Sequence, residues 1–270
     1  MTVRRYDRDR FVTVLLASPE RREDLFTLYA FNLEIARVRE TVRETMLGQI
    51  RLQWWRDNLE TLWRGGQIGH PVGDDLADLV TRHDLKRPSF DRLIDARDVD
   101  LQDGPPRDDD ELRRYIDDSA GELSSLAALL LGGGDQATQL AARAVGQAWG
   151  RIGLMRAHAF HIKTRRLYLP GGFLANHHLD SEALFAGAAP PALARLAEEW
   201  AEIAESDLRR ARALRRDIAK PALPALLLAT LADGYLAGLR RTGYNLLDRG
   251  WSSVNSRPLR LLLAKSAGRF

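Results

Sequence analysis

Apolar residues fall three and four positions apart along almost the whole chain, and the two-residue alternation of half-buried strands is nearly absent. Pro19 and Glu20 open the first long periodic segment, since proline is tolerated in a helix's first turn; the spacing predicts a helix running to about Glu44. Leu52, Trp55, Leu59 and Leu62 then share one face of a second helix, which Gly65-Gly66 ends. Shorter helices are predicted around 73–83 and 88–99, followed by a turn at Gly104-Pro105-Pro106. Asp108 to Asp110 stand where acidic residues complement the start of a helix, which continues to Leu131 with Leu123, Leu126 and Leu130 on one stripe. Gly132-Gly133-Gly134 is a stop rather than a phosphate loop, because no strand precedes it and no GxxxxGK[ST] pattern follows. A long helix over 135–164 gives way at Pro170-Gly171-Gly172 to a mobile segment containing His177-His178. Two further long helices, near 191–217 and 222–249, precede a short last one. The pattern predicts one all-α domain over residues 1–270, with about eight to eleven helices packed ridge into groove.

Composition narrows the class. Apolar residues at 45% and charged ones at 29%, with no long polar tract, describe a globular chain. The formal charge is +3, and the basic residues are nearly all arginine, only Lys86, Lys163, Lys220 and Lys265 being lysines. Acids and arginines alternate, as in Arg4 to Arg10, which describes solvated helix faces; with no aromatic-rich basic motif, nucleic acid is not expected as a partner. The absence of cysteine excludes a disulfide framework, a thiolate nucleophile and cysteine-based metal sites. Phe11 to Ala17 is too short and too closely flanked by charge for a secretory segment, and Pro221 to Leu239 is interrupted by Pro224 and Asp233, so it reads as a buried core helix. A cytoplasmic protein is expected, with a peripheral contact at the inner membrane surface as a further option.

Two segments carry a resemblance. Tyr29-Ala30-Phe31-Asn32-Leu33-Glu34-Ile35-Ala36-Arg37-Val38-Arg39-Glu40 resembles the squalene/phytoene synthase pattern Y-A-F-x-R-x-x-D-D-x-x-D. Residues Arg156 to Pro170 resemble that family's R-D-x-x-E-D-x-x-x-G-R-x-Y-L-P. Phe90 to Asp95 with Asp100-Leu101, Tyr115 to Gly121, and Tyr235 to Leu239 add weaker matches. The run Phe31 to Arg37 with Met46 to Arg56 is similar to a non-canonical branch that includes the mitochondrial complex I assembly factor. The resemblance implies an isoprenoid synthase-type helical bundle around a central cavity. In active members, aspartates on facing helices hold Mg²⁺ ions that bind prenyl diphosphates and help one diphosphate leave. Hard oxygen ligands suit Mg²⁺, and carboxylates at i and i+4 point to one side of a helix.

Here the family's metal positions fall on Ala36, Glu40, Ala157 and His161, with Phe160 in place of a glutamate and Gly153 in place of an asparagine. Arg156, Lys163, Arg165 and Arg166 surround the second motif with the opposite sign. The expectation is therefore no catalytic residue, no metal and no cofactor, in a degenerate member that binds a protein partner or a lipid-like, prenyl-type ligand and assists assembly of respiratory complex I. The candidate ligand or anion contacts are Tyr29, Arg37, Glu40, Trp54, Arg156, His158, His161, Lys163, Arg166 and Tyr168. The alternative is an active prenyl transferase using Mg²⁺ on Glu34, Glu40 and Glu44, which fall near one face of the expected helix.

Plainer readings accompany several of these residues. His158 and His161 lack a third ligand nearby and suit a satisfied or surface pair; the Arg156–Arg166 cluster suits a wet helix face. Trp55 belongs to the core, while Trp54 is free to line a cavity or a partner surface. Asp74-Asp75 and Asp117-Asp118 read as solvent or cap residues.

Overall fold

A computed structural model describes residues 2–42, 44–248, 250–252 and 258–270. Helices joined by turns and loops make up the described residues, with no strand among them. Helices α1 (Thr2–Tyr6), α2 (Arg8–Leu15), α3 (Pro19–Ala36), α4 (Val38–Thr41) and α5 (Thr45–Trp63) come first. They are followed by α6 (Pro71–His83), α7 (Arg87–Asp95), α8 (Asp98–Leu101) and α9 (Asp109–Ile116). A wide turn of π-type helix at Asp117–Gly121 joins α9 to α10 (Glu122–Leu130). Then come α11 (Gln136–Lys163), α12 (Gly171–Asn176), α13 (Ser181–Phe185) and α14 (Pro191–Ala213). A single 3₁₀ turn at Lys220–Ala222 leads into α15 (Leu223–Leu226), α16 (Leu228–Arg241) and, last, α17 (Pro258–Ser266).

The 28-residue α11 is the axis of the molecule. At 1.5 Å per residue it is roughly 42 Å long. Asp135 caps it, accepting from the Thr138 amide at 2.8 Å, and α10, α14, α16 and the π turn pack around it. Small residues permit the closest approach. A Cβ on Gly146 would lie 2.3 Å from the Ala120 carbonyl oxygen, and one on Gly150 2.8 Å from the Ala120 Cβ, so the π turn rests on a glycine seam one helical turn long. At the other end of the core, Phe31 meets Trp55 edge to face at 5.2 Å and packs on Phe90 at 5.5 Å. Leu52, Trp55, Leu59 and Leu62 are buried as their spacing predicts. The apolar segment Lys220–Arg241 has the length and composition of a membrane span, yet 83% of its most apolar 18-residue stretch is buried inside the bundle.

Several element boundaries differ from those the periodicity predicts; the helix expected over 88–99 is broken between Asp95 and Asp98, and the one expected over 191–217 ends at Ala213. The helix begun at Pro19 stops at Ala36, and Arg37 starts a turn with its guanidinium 3.8 Å from the centre of the Tyr6 ring. Neither glycine nor proline marks that break. As a result Glu34 lies in the last turn of α3, Glu40 on α4 and Glu44 just before α5, so the three glutamates do not share one helix face. The helix expected up to Leu131 is split by the π turn. Asp117 there is no solvent residue: it accepts from Arg143 at 2.6 and 2.7 Å and from Gln147 at 2.7 Å. The segment expected to be mobile holds two short helices, α12 and α13, the second capped by Asp180. The helix expected over 222–249 ends at Arg241, and position 249 lies outside the described residues.

Candidate functional site

The break at Arg37 creates the site. It turns α4 across the mouth of a cavity of about 490 Å³, with Ala36 and Glu40 on one wall and Leu154, Phe160 and His161 of α11 on the other. The floor comes from α8, α9 and the chain just after α11. There the Tyr168 hydroxyl donates to the Asp100 carboxylate, and Arg166 donates to the Tyr168 hydroxyl at 3.1 Å and to the Val99 carbonyl at 2.5 Å. Arg97 completes the network, 3.4 Å from Asp100, 3.1 Å from the Tyr115 hydroxyl and 3.4 Å from the Asn32 side-chain oxygen. Its Nε is buried with no hydrogen-bond partner among the described residues.

The titratable groups are set by burial. Removal from water holds His158 and His161 down at about 4, so both imidazoles are neutral at pH 7; for His161 the Asp100 carboxylate opposes the shift, while His158 and Arg166 add to it. The same desolvation pushes the Tyr168 hydroxyl well above its ordinary value and raises Tyr115. The wall therefore carries three guanidiniums, from Arg39, Arg97 and Arg166, against two carboxylates, from Glu40 and Asp100. Both carboxylates are engaged. Glu40 accepts from Arg37 at 3.1 Å, and Asp100 accepts from Tyr168 and Arg97. Arg39 has no carboxylate partner among the described residues.

Of the positions singled out in the sequence, Ala36, Glu40, His161, Arg166 and Tyr168 meet in this cavity. Ala157 lies on the same side of α11 as His161 without forming part of the wall. The remaining candidates point elsewhere. Tyr29 is a core residue at 2% exposure, its hydroxyl pushed up to about 12 by burial. His158 is buried in the core rather than exposed. Arg37 is spent on Tyr6 and Glu40. Arg156 stacks on Tyr235 at 3.9 Å and pairs with Asp9 at 3.1 Å, so the arginine cluster is no uniform wet face. Lys163 and Arg165 are exposed and outside the cavity, and Trp54 sits beside Trp55 and His70 on the surface of α5. The cavity's positive charge is real, but two of its three sources, Arg39 and Arg97, were absent from the sequence candidates. Asp100 and Tyr115 were quoted only as matches to a pattern, although Asp100 next to a buried tyrosine partner is the polar centre of the site.

A squalene/phytoene synthase family model matches residues 3–260. The chain belongs to the squalene/phytoene synthase family. Among individual relatives, the Bos taurus protein called NADH dehydrogenase (ubiquinone) complex I, assembly factor 6 is 27% identical over 94% of this chain and 76% of its own. Its Dictyostelium discoideum homolog is 26% identical over 95% of this chain and 72% of its own. Phytoene synthase 1 of Arabidopsis thaliana is 24% identical over 77% of this chain and 49% of its own. A dehydrosqualene synthase crystal structure superimposes with a TM-score of 0.83 at 17% identity, covering 98% of this chain and 93% of that one, which establishes the all-α isoprenoid synthase fold.

The ions that active members of the family gather do not fit the residues present here. No group of three His, Asp or Glu side chains capable of holding a metal occurs among the described residues. Asp100 and Glu40 come from different elements and are already bonded to cations or a tyrosine. At about 4 Å and an effective dielectric near 20, a unit charge meeting a like charge costs about 4 kcal/mol, and a dication beside one of these guanidiniums about twice that. The donor set suits an anion better than a magnesium cluster.

Proposed function

We propose that this chain works by binding and not by prenyl transfer: it is an assembly factor for a respiratory complex I-type enzyme whose cavity receives a lipid-like ligand through its anionic head, without magnesium. The observation that carries this reading is the pair of facing walls on which Ala36 and His161 stand at the family's metal positions while three guanidiniums line the same space. Arg39, which has no counter-charge among the described residues, is the group that would meet a phosphate or carboxylate oxygen, with Arg97 and Arg166 adding their charge from the same wall. A wall built partly from Leu154, Phe160 and Ala36 favours an apolar body behind that head. The assembly role is supported by relatives that span nearly the whole chain and bear the assembly-factor name.

Deleting the gene from its own host tests the reading. The assembled NADH:quinone oxidoreductase, followed on native gels, is expected to fall, while the cell's squalene and carotenoid content stays unchanged. Unchanged assembly together with loss of a prenyl product would instead favour the transferase alternative, in which Mg²⁺ must be found on ligands other than those described here.

A further inference from the structure

The last helix carries an apolar face that the fold leaves uncovered. On α17, Leu261 enters the core at 0% exposure, while Leu259, Leu262 and Leu263 stand 76%, 49% and 70% exposed. At about 100° per residue, these three leucines share one side of the helix, opposite Leu261. Arg260 and Lys265 fall on either flank of that side. Apolar residues outward with a cation on each shoulder is the arrangement of a helix lying in a membrane interface, where the long basic side chains reach back to the head groups.

A second, independent feature adjoins it. A shallow groove of about 740 Å³ runs beside Leu263 and is lined by Arg212, Arg215, Arg260 and Arg269. Its one carboxylate, Asp233, is paired with Arg212 at 2.8 Å and lies 3.5 Å from Arg260. Even with the Phe270 oxygen that accepts from Arg212 at 2.8 Å, cations outnumber anions, and Arg215 and Arg269 have no carboxylate partner among the described residues. A partner helix would cover the leucines and leave these arginines without counter-charge. Free phosphate would use the arginines and leave the leucines wet. An anionic phospholipid surface satisfies both.

We propose that α17 is a membrane-docking element: Leu259, Leu262 and Leu263 enter the head-group boundary of an anionic bilayer, and Arg215 and Arg269 take up lipid phosphates in the groove beside them. This stands apart from the reading of the cavity. It also relocates the peripheral contact considered from the sequence, because Arg156 and Arg166 are engaged within the fold.

Co-sedimentation of the full chain with vesicles tests it, using equal parts phosphatidylglycerol and phosphatidylcholine against phosphatidylcholine alone, at about 0.1 M salt. Binding is expected to the anionic vesicles only. The double variant Leu259→Ser/Leu263→Ser should weaken it about a hundredfold, since each leucine withdrawn from an apolar phase forfeits roughly tenfold. Arg215→Gln/Arg269→Gln should weaken it and flatten its salt dependence. Met46→Ser/Ile50→Ser, which alters the exposed apolar stripe of α5, should leave it unchanged. An unaltered far-ultraviolet circular dichroism spectrum certifies that each variant is folded. No binding to anionic vesicles, equal binding to neutral ones, or loss only in the α5 variant would overturn the proposal. So would an oligomer that the leucine variant dissolves without any effect on vesicles.

Discussion

Residues 156–170 form two halves that behave differently. In the half after α11, the residues that match the family pattern each fasten the fold: Arg166 holds the Val99 carbonyl, Tyr168 holds Asp100, and the turn at Pro170 lets the Gly171 amide reach the Pro106 carbonyl at 2.7 Å. In the half on α11, the positions that would carry ion ligands hold Ala157, Phe160 and His161, and no carboxylate replaces them. One stretch of chain thus carries groups that wall the cavity, while its α11 half brings no carboxylate to it. The difference separates two parts of a single motif: hydrogen bonds that clamp the chain after α11 to α8 lie beside α11 positions that bring no carboxylate to the cavity.

The clamp can be broken first. Asp100→Ala strips Arg97 of its carboxylate while the guanidinium stays largely buried, and breaking such a pair costs about 3–5 kcal/mol. Urea denaturation should show that loss, and a change below about 1 kcal/mol would mean that the clamp does not support the fold.

Acid should break the other half. His158 and His161 titrate near 4 in the fold and near 6.5 when unfolded, so between those values the unfolded chain binds more protons. Stability is therefore full above pH 6.5 and falls as the pH drops towards 4, by up to about 3 kcal/mol for each histidine. The unfolding midpoint measured across that range should decline, and His161→Phe should make the decline shallower; an unchanged slope would place the imidazole in water.

A milder cut to the clamp is Tyr168→Phe, which removes one donor to a buried carboxylate and should cost about 1.5–3 kcal/mol by the same denaturation measurement. The smallest effect is expected from Ala157→Asp. On a half-exposed stretch of α11 outside the cavity wall it should change stability by less than about 0.5 kcal/mol, and Mg²⁺ should not raise the melting temperature of the variant. A clear magnesium-dependent rise would show that one acid is enough to recover an ion site.

The fold was legible because its signal is repeated many times: helical spacing of apolar residues runs along most of the chain, and glycine stands two residues past the ends of α5, α10 and α16. The break at Arg37 was not legible, because it arises from tertiary contacts, with Arg37 drawn to Tyr6 and Glu40, and leaves no breaker in the sequence. The site was half legible for the same reason. Resemblance led to Ala36, Glu40, His161, Arg166 and Tyr168, which do converge. Arg39 sits on α4, whose direction depends on that break, and Arg97 sits between two short helices, so periodicity had no means to aim either one at the cavity. Conversely, Arg156 and His158 belong to a motif yet turn away from the cavity, Arg156 to Asp9 and Tyr235 and His158 into the core. Adjacency along a helix does not say which face looks inward.

A cavity that accepts an anionic head group through arginine, as proposed, should do so without magnesium. Calorimetric titration with farnesyl diphosphate, in Mg²⁺ and again in excess chelator, with released diphosphate assayed in the same samples, tests it most directly. Equal affinity in both conditions, no diphosphate release, and an affinity lowered about tenfold by Arg39→Gln are the expected results. Binding that vanishes with the chelator, or sustained diphosphate release that the chelator abolishes, would contradict the account.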